Sequence, residues 1–223
     1  MQLTPDPATP RGRLVLRVGR IVLALLAGSG AALAHPPFGL LPGLLGYALL
    51  MLLAERSPGV RGGFWMGWLA GFAYFFISCW WVAEAFLVNP AQAWMAPFAA
   101  SLLPLGLGLF WGAATALYRR FHPAGVQRVL LFAALFCLLE WLRGHVLTGF
   151  PWNPAGASWK AGSAASQFAS VAGVYGLGFV TVVAAAAVGP LFAPGSRRLR
   201  FATAGGGGRA AGGLPLFGGA PVG

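Results

Sequence analysis

The sequence predicts an all-α integral membrane protein: a six-span transmembrane helix bundle followed by a disordered Gly-rich tail. Three observations support this class. Of 223 residues, 58% are hydrophobic and only 9% charged, where soluble chains carry about 25% charged residues. Apolar stretches recur at a length that crosses a hydrocarbon core of about 30 Å. Basic residues sit in short clusters between those stretches, at Arg11, Arg13, Arg17 and Arg20, at Arg56 and Arg61, and at Arg119, Arg120 and Arg128. An ordinary soluble enzyme, a disordered chain and a collagen-like chain are all excluded. The net charge of +11 would suggest nucleic acid in a soluble protein. Clusters between apolar runs read instead as cytoplasmic loops, and without an RNA-binding or zinc-finger motif no nucleic-acid partner is expected.

Residues 1–13 form a basic cytoplasmic segment and residues 14–195 a polytopic membrane domain. Span one, 14–34, has a short apolar part that Arg17 and Arg20 extend by snorkelling to headgroups. A cleaved signal peptide would share this pattern, but a second apolar run follows at once and favours a retained span. His35-Pro36-Pro37 breaks the helix, since proline lacks an N–H and restrains the residue before it. Span two is 38–54. Span three, 63–87, carries Trp65 and Trp68 near one interface and Trp80 and Trp81 near the other. Its stripe of Gly63, Gly67 and Gly71 permits close helix approach. Span four, 93–118, has Pro97 and Pro104 as expected kinks and a second small pair, Gly108 and Gly112. Spans five and six are 129–147 and 168–193.

Basic loops alternate with neutral ones along the chain, which places both termini in the cytoplasm. Residues 196–223 are Gly/Ala/Pro-rich and lack a spanning run. They read as a flexible low-complexity tail or as the product of a shifted reading frame.

Ionisable groups inside apolar spans are functional candidates by default. Glu140 and Arg143 lie three apart on span five, so they share a helix face. At 12 residues beyond Arg128, Glu140 lies roughly 18 Å into the bilayer, past the midplane. The two form either a structural salt bridge or a support for the adjoining outer loop or a lipid headgroup site. Glu84 ends span three as a surface or functional carboxylate. His35 and His145 lack a third ligand nearby, so no metal and no cofactor is expected. Cys79 and Cys137 read as small buried hydrophobes. In Thr148-Gly149-Phe150-Pro151-Trp152-Asn153-Pro154, two prolines and a tryptophan favour a fixed non-helical loop at the membrane surface. Trp152 is then an interface anchor or part of a lipid entry site. No Gly-x-Ser-x-Gly, His-Glu-x-x-His or P-loop pattern occurs.

Three stretches together resemble a known family: Pro36-Pro37-Phe38-Gly39-Leu40-Leu41-Pro42, the aromatic run 63–75, and Glu140-Trp141-Leu142-Arg143-Gly144 leading into Thr148-Gly149-Phe150-Pro151-Trp152. With Val174-Tyr175-Gly176-Leu177, they are similar to the amino-terminal membrane domain of apolipoprotein N-acyltransferase, over 14–194. The resemblance implies a multi-pass bacterial inner-membrane enzyme that moves a fatty acyl chain from phospholipid to the α-amino group of a lipoprotein's diacylglyceryl-cysteine. In that family a cysteine thioester, a glutamate base and an oxyanion-stabilising lysine belong to a nitrilase-like domain inserted after the seventh span. Glu140, Lys160, Cys79 and Cys137 match none of those positions, so no catalytic residue is assigned. Glu140, Arg143, Phe150, Pro151 and Trp152 occupy the matching motif and are the candidate lipid-access residues. The expectation is a truncated family member, inactive alone unless a separate nitrilase-like chain completes it. The expected partners are membrane phospholipid and a diacylglyceryl lipoprotein. A non-enzymatic scaffold or transporter is the alternative. Transporters place ionisable groups at the midplane and show repeats, and neither is evident here.

Overall fold

The computed structural model describes residues 8–121, 123–146 and 148–192. It is helical throughout, with no strand among the described residues. Helix α1 spans Pro10–Leu33, four residues ahead of the predicted span. Thr9 caps it by accepting the Gly12 N–H at 3.0 Å, and Pro10 fits a first turn where no N–H is needed. Its buried face is a run of small residues, Ala24, Ala27, Gly28, Ala31 and Ala32. After the turn at His35, a 3-10 turn over Leu41–Leu44 leads into α2, Leu45–Glu55.

Helix α3 spans Val60–Ser78 and does not continue to residue 87. At Cys79 (φ −122°, ψ 13°) the chain bends by 60° into a 3-10 turn, Trp80–Ala83, and a one-turn helix α4, Glu84–Leu87. The predicted straight span 63–87 is therefore broken. The reason is a redistribution of hydrogen bonds: the Val82 N–H donates to the Cys79 carbonyl at 3.0 Å, and the Ser78 carbonyl accepts from the Asn153 side-chain amide at 3.3 Å. A third 3-10 turn, Pro90–Met95, precedes α5, Ala96–Phe121. Pro97 thus lies in the first turn of α5, where proline costs no hydrogen bond. Only Pro104 stands inside the helix. Helix α6 covers Gln127–His145. The one-turn α7 is Ala164–Gln167, and α8 is Ala169–Ala186, interrupted by left-handed Gly173 at φ 68°.

Three of these segments are long and apolar enough to cross a bilayer: Pro10–Leu33, Pro90–Phe121 and Ala169–Leu191. The bent pair Val60–Ser78 and Trp80–Leu87 makes up to four. The predicted six is not reached on length and composition. Leu41–Glu55 is too short, and α6 carries Arg128, Glu140 and Arg143 within 19 residues. The tail at 196–223 and most of the segment at 1–13 lie outside the described residues.

Helix α3 packs most extensively on α5, and next α1 on α3. The glycine stripes explain why. A Cβ at Gly71 would overlap Trp111 and Gly108, one at Gly67 the Thr115 side chain, and one at Gly63 would crowd Arg119. The stripes lie along one seam, where Gly71 meets Gly108 and Gly112 takes the Phe64 ring, and the Thr115 hydroxyl donates across it to the Gly63 carbonyl at 2.9 Å. Between bilayer-facing helices the hydrophobic effect supplies no attraction, so this close contact and such hydrogen bonds hold the pair. The interior is aromatic: Tyr74 lies 4.6 Å from Trp111, which lies 5.1 Å from Phe136, itself 4.6 Å from Phe132 (ring centroids). At one end of the bundle Glu55 accepts from Tyr118 at 2.7 Å and pairs with Arg128 at 3.7 Å, while Arg119 donates to the Ser57 carbonyl at 2.9 Å. The other end is closed by the loop that follows α6.

Candidate lipid-access site beneath the Phe150–Ser158 loop

Phe132, Phe136, Glu140 and Arg143 are buried at steps of four, four and three, so one face of α6 turns from aromatic to charged on nearing its C-terminus. The two charged side chains do not pair with each other within 4.0 Å. Each holds backbone of the following loop instead. The Arg143 guanidinium donates through one Nη to the carbonyls of Phe150 and, at 2.9 Å, Trp152. The Glu140 carboxylate accepts the Ala155 N–H, with its two oxygens at 3.3 and 3.2 Å. Arg143 also lies over the Phe75 ring, 5.0 Å from its centroid, a cation–π contact. The Arg143 Nε makes no hydrogen bond.

The loop starts where α6 stops: the Val146 N–H donates to Leu142, left-handed Gly149 (φ 73°) turns the chain, and the Phe150 N–H returns to the Arg143 carbonyl at 2.9 Å. Two further elements reach the same backbone. The Tyr74 hydroxyl of α3 donates to the Asn153 carbonyl at 2.6 Å. His35, just beyond α1, is fully buried with Nδ1 3.1 Å from the Ala31 carbonyl. Its Nε2 lies 3.2 Å from both the Pro154 carbonyl and the Tyr74 hydroxyl. Burial lowers the His35 pKa below the ordinary value and the Arg143 charge adds to this; the Pro154 and Ala31 carbonyls oppose it. Asn153 takes a positive φ of 48°, a conformation asparagine tolerates better than most residues. The 3-10 turn Ala155–Ser158 then seats Gly156 against the Val174 carbonyl and the Gly178 N–H of α8, so close that a Cβ would collide.

The predicted site residues thus separate into two layers. Glu140 and Arg143 lie below the loop, buried. Pro151 and Trp152 are exposed on it, with Phe150 partly buried between. Trp152 stands 5.3 Å from Trp81 and 6.2 Å from Phe150 by ring centroids, forming an aromatic shelf beside the bend after α3. Glu84 is exposed and lies on α4. His145 is exposed and stacks on Trp141 at 4.5 Å, and no group of three metal-ligating side chains gathers among the described residues. Cys79 touches Ser78 and Cys137 donates to the Tyr175 carbonyl, so neither meets a general base. Such an arrangement fixes an amphipathic loop at the end of an apolar bundle; it does not assemble a nucleophile. His35, Tyr74 and Asn153 were not among the predicted residues. A polar ring in the apolar Phe72–Phe76 run and a histidine ahead of two prolines were the available signals.

Residues 27–187, well over half of the chain, match the model of the apolipoprotein N-acyltransferase N-terminal domain. An apolipoprotein N-acyltransferase of Caulobacter vibrioides is 58% identical over 169 residues, 74% of this chain and 32% of that protein. Proteins of the same name from Rhizobium leguminosarum (42% identical, 74% of this chain, 33% of that one) and Allorhizobium ampelinum (35%, 86% and 39%) are also similar. The chain spans about a third of the length of these curated relatives. With its apolar helices and the motif-bearing loop that α6 clamps, the chain is a membrane protein of the apolipoprotein N-acyltransferase family and matches that family's N-terminal domain.

Proposed function

We propose that this chain is the lipid-handling membrane portion of a phospholipid–apolipoprotein N-acyltransferase of the bacterial inner membrane. The whole enzyme moves an acyl chain from a phospholipid to the α-amino group of a diacylglyceryl-cysteine. The observation that carries this reading is the clamp: two buried charges of α6 spend their hydrogen bonds on the loop from Phe150 to Ala155, leaving Pro151 and Trp152 exposed beside Trp81. Tryptophan and proline on a rigid, backbone-held loop suit the headgroup boundary, where an aromatic ring meets acyl chains on one side and water on the other.

The loop lies on the outer side and both termini on the cytoplasmic side, with six crossings, because the basic clusters fall on alternate connections. The short α2 is supported as a crossing by its ends: the turn before it follows His35 at the loop end, while Glu55 bonds Tyr118 and Arg128 at the opposite end. For α6, the Glu140 and Arg143 charges are compensated by loop backbone and not exposed to lipid. Acyl transfer itself needs a nucleophile and a base in contact, and among the described residues no such pair is brought together. They supply lipid access, and a nitrilase-like part or partner supplies the chemistry. Purified chain in phospholipid vesicles with a diacylated lipopeptide should give no N-acylated product by mass spectrometry. Robust product from this chain alone would overturn the division of labour.

A further inference from the structure

At the opposite end of the bundle, α1 and α3 diverge around a groove of about 610 Å³. Arg13, Arg17 and Arg20 line one side, together with Leu16; Trp65 and Leu69 line the other. The arginines stand at i, i+4 and i+7, one face of α1 extending about 10 Å along the helix axis. Among the described residues no carboxylate lies within 4.0 Å of any of them. Glu55 is engaged by Arg128 and Tyr118, and Glu140 is committed to the loop end. Arg13 also donates to the Ala8 carbonyl at 3.4 Å. Three cations therefore face a groove whose remaining wall is apolar apart from Ser57, whose hydroxyl donates to the Leu53 carbonyl.

We propose that this groove binds one anionic phospholipid, its phosphate between the arginine side chains and one acyl chain along Leu16, Trp65 and Leu69. Arginine suits phosphate because its planar donor fork pairs two oxygens at once. Basic pockets between membrane helices on the cytoplasmic side take such headgroups. Arg20 and His35 are 15 residues apart, so this site and the loop are separated by about 22 Å of helix. It is a second lipid site, independent of the acyltransferase reading.

The test compares spin-labelled phosphatidylglycerol with phosphatidylcholine bound to the purified chain in bilayers, read as relative association by electron paramagnetic resonance. The wild-type chain should prefer phosphatidylglycerol. The preference should fall by up to about fivefold for each arginine changed in the series Arg13→Gln, Arg17→Gln and Arg20→Gln, and survive in the corresponding Arg→Lys variants. Leu16→Trp, at an exposed position, should lower phosphatidylglycerol association with all three arginines in place. Equal association of the two lipids, or an unchanged preference in the glutamine variants, would overturn the site. So would a silent Leu16→Trp, which would leave only a diffuse attraction of anionic lipid. Displacement of the lipid by inorganic phosphate would assign the arginines to a soluble anion instead. If the glutamine variants do not fold, the lysine series and Leu16→Trp still decide the matter.

Discussion

Arg143 is buried, yet its charge is met by two loop carbonyls and an aromatic face. Removing it would strand the Phe150 and Trp152 carbonyls, while Glu140 keeps only the Ala155 N–H. Arg143→Met should therefore destabilise the fold by about 3 kcal/mol, seen as a lower midpoint on denaturant titration in mild detergent. Arg143→Lys should recover only part, because a single ammonium cannot reproduce the fork. His35 makes a pH-dependent contribution. Its pKa is lower in the fold than in the unfolded chain, so the unfolded chain takes up a proton that the fold resists. Stability attributable to His35 is full above about pH 6.5 and declines as the pH falls below that value toward the lower folded pKa. The wild-type midpoint should drop on acidification more steeply than that of His35→Gln; parallel curves would remove His35 from the account. Glu140 and Arg143 were legible because charges within apolar runs are rare and need partners. What they hold was not legible, since a backbone carbonyl carries no residue identity. His35 meets Pro154 across 119 positions, a contact no local pattern announces.

Helix ends were readable where basic clusters mark them locally, as at Arg119-Arg120, whereas the start of α1 at Pro10 lies four residues ahead of the expected 14. The break after Ser78 was not readable, because the Asn153 amide that takes the Ser78 carbonyl arrives from 75 positions further along the chain. Helix pairing lay between these cases. The stripes Gly63/Gly67/Gly71 and Gly108/Gly112 signalled close packing, but spacing alone did not say that they face each other. Because the Thr115 side chain and the Trp111 carbonyl leave no room at Gly67, Gly67→Val should force α3 from α5. A loss of about 2–3 kcal/mol is expected, within the range for overpacked sites. Gly106→Ala, with nothing within 4 Å of the added carbon, is the matched control and should leave the midpoint unchanged. Equal effects of the two substitutions would disprove the packing seam.

Taken as one object, the molecule is a bundle with two chemically different ends. One carries arginines around Glu55 and the groove beside α1; the other carries a neutral, aromatic loop whose supports are buried. The family resemblance was readable from three short stretches because the third of them carries both that clamp and the start of the loop it holds. The claim on which the rest depends is that the clamped loop presents Trp152 to lipid. A photoreactive amino acid in place of Trp152 measures this directly, with a diacylated lipopeptide and phospholipid supplied in bilayers. The account predicts a lipid or lipopeptide cross-link in the otherwise wild-type chain and its loss when Arg143→Met is added, with a probe at exposed Leu102 on α5 unaffected by that change. No cross-link from position 152, or one that persists unchanged without Arg143, would contradict it.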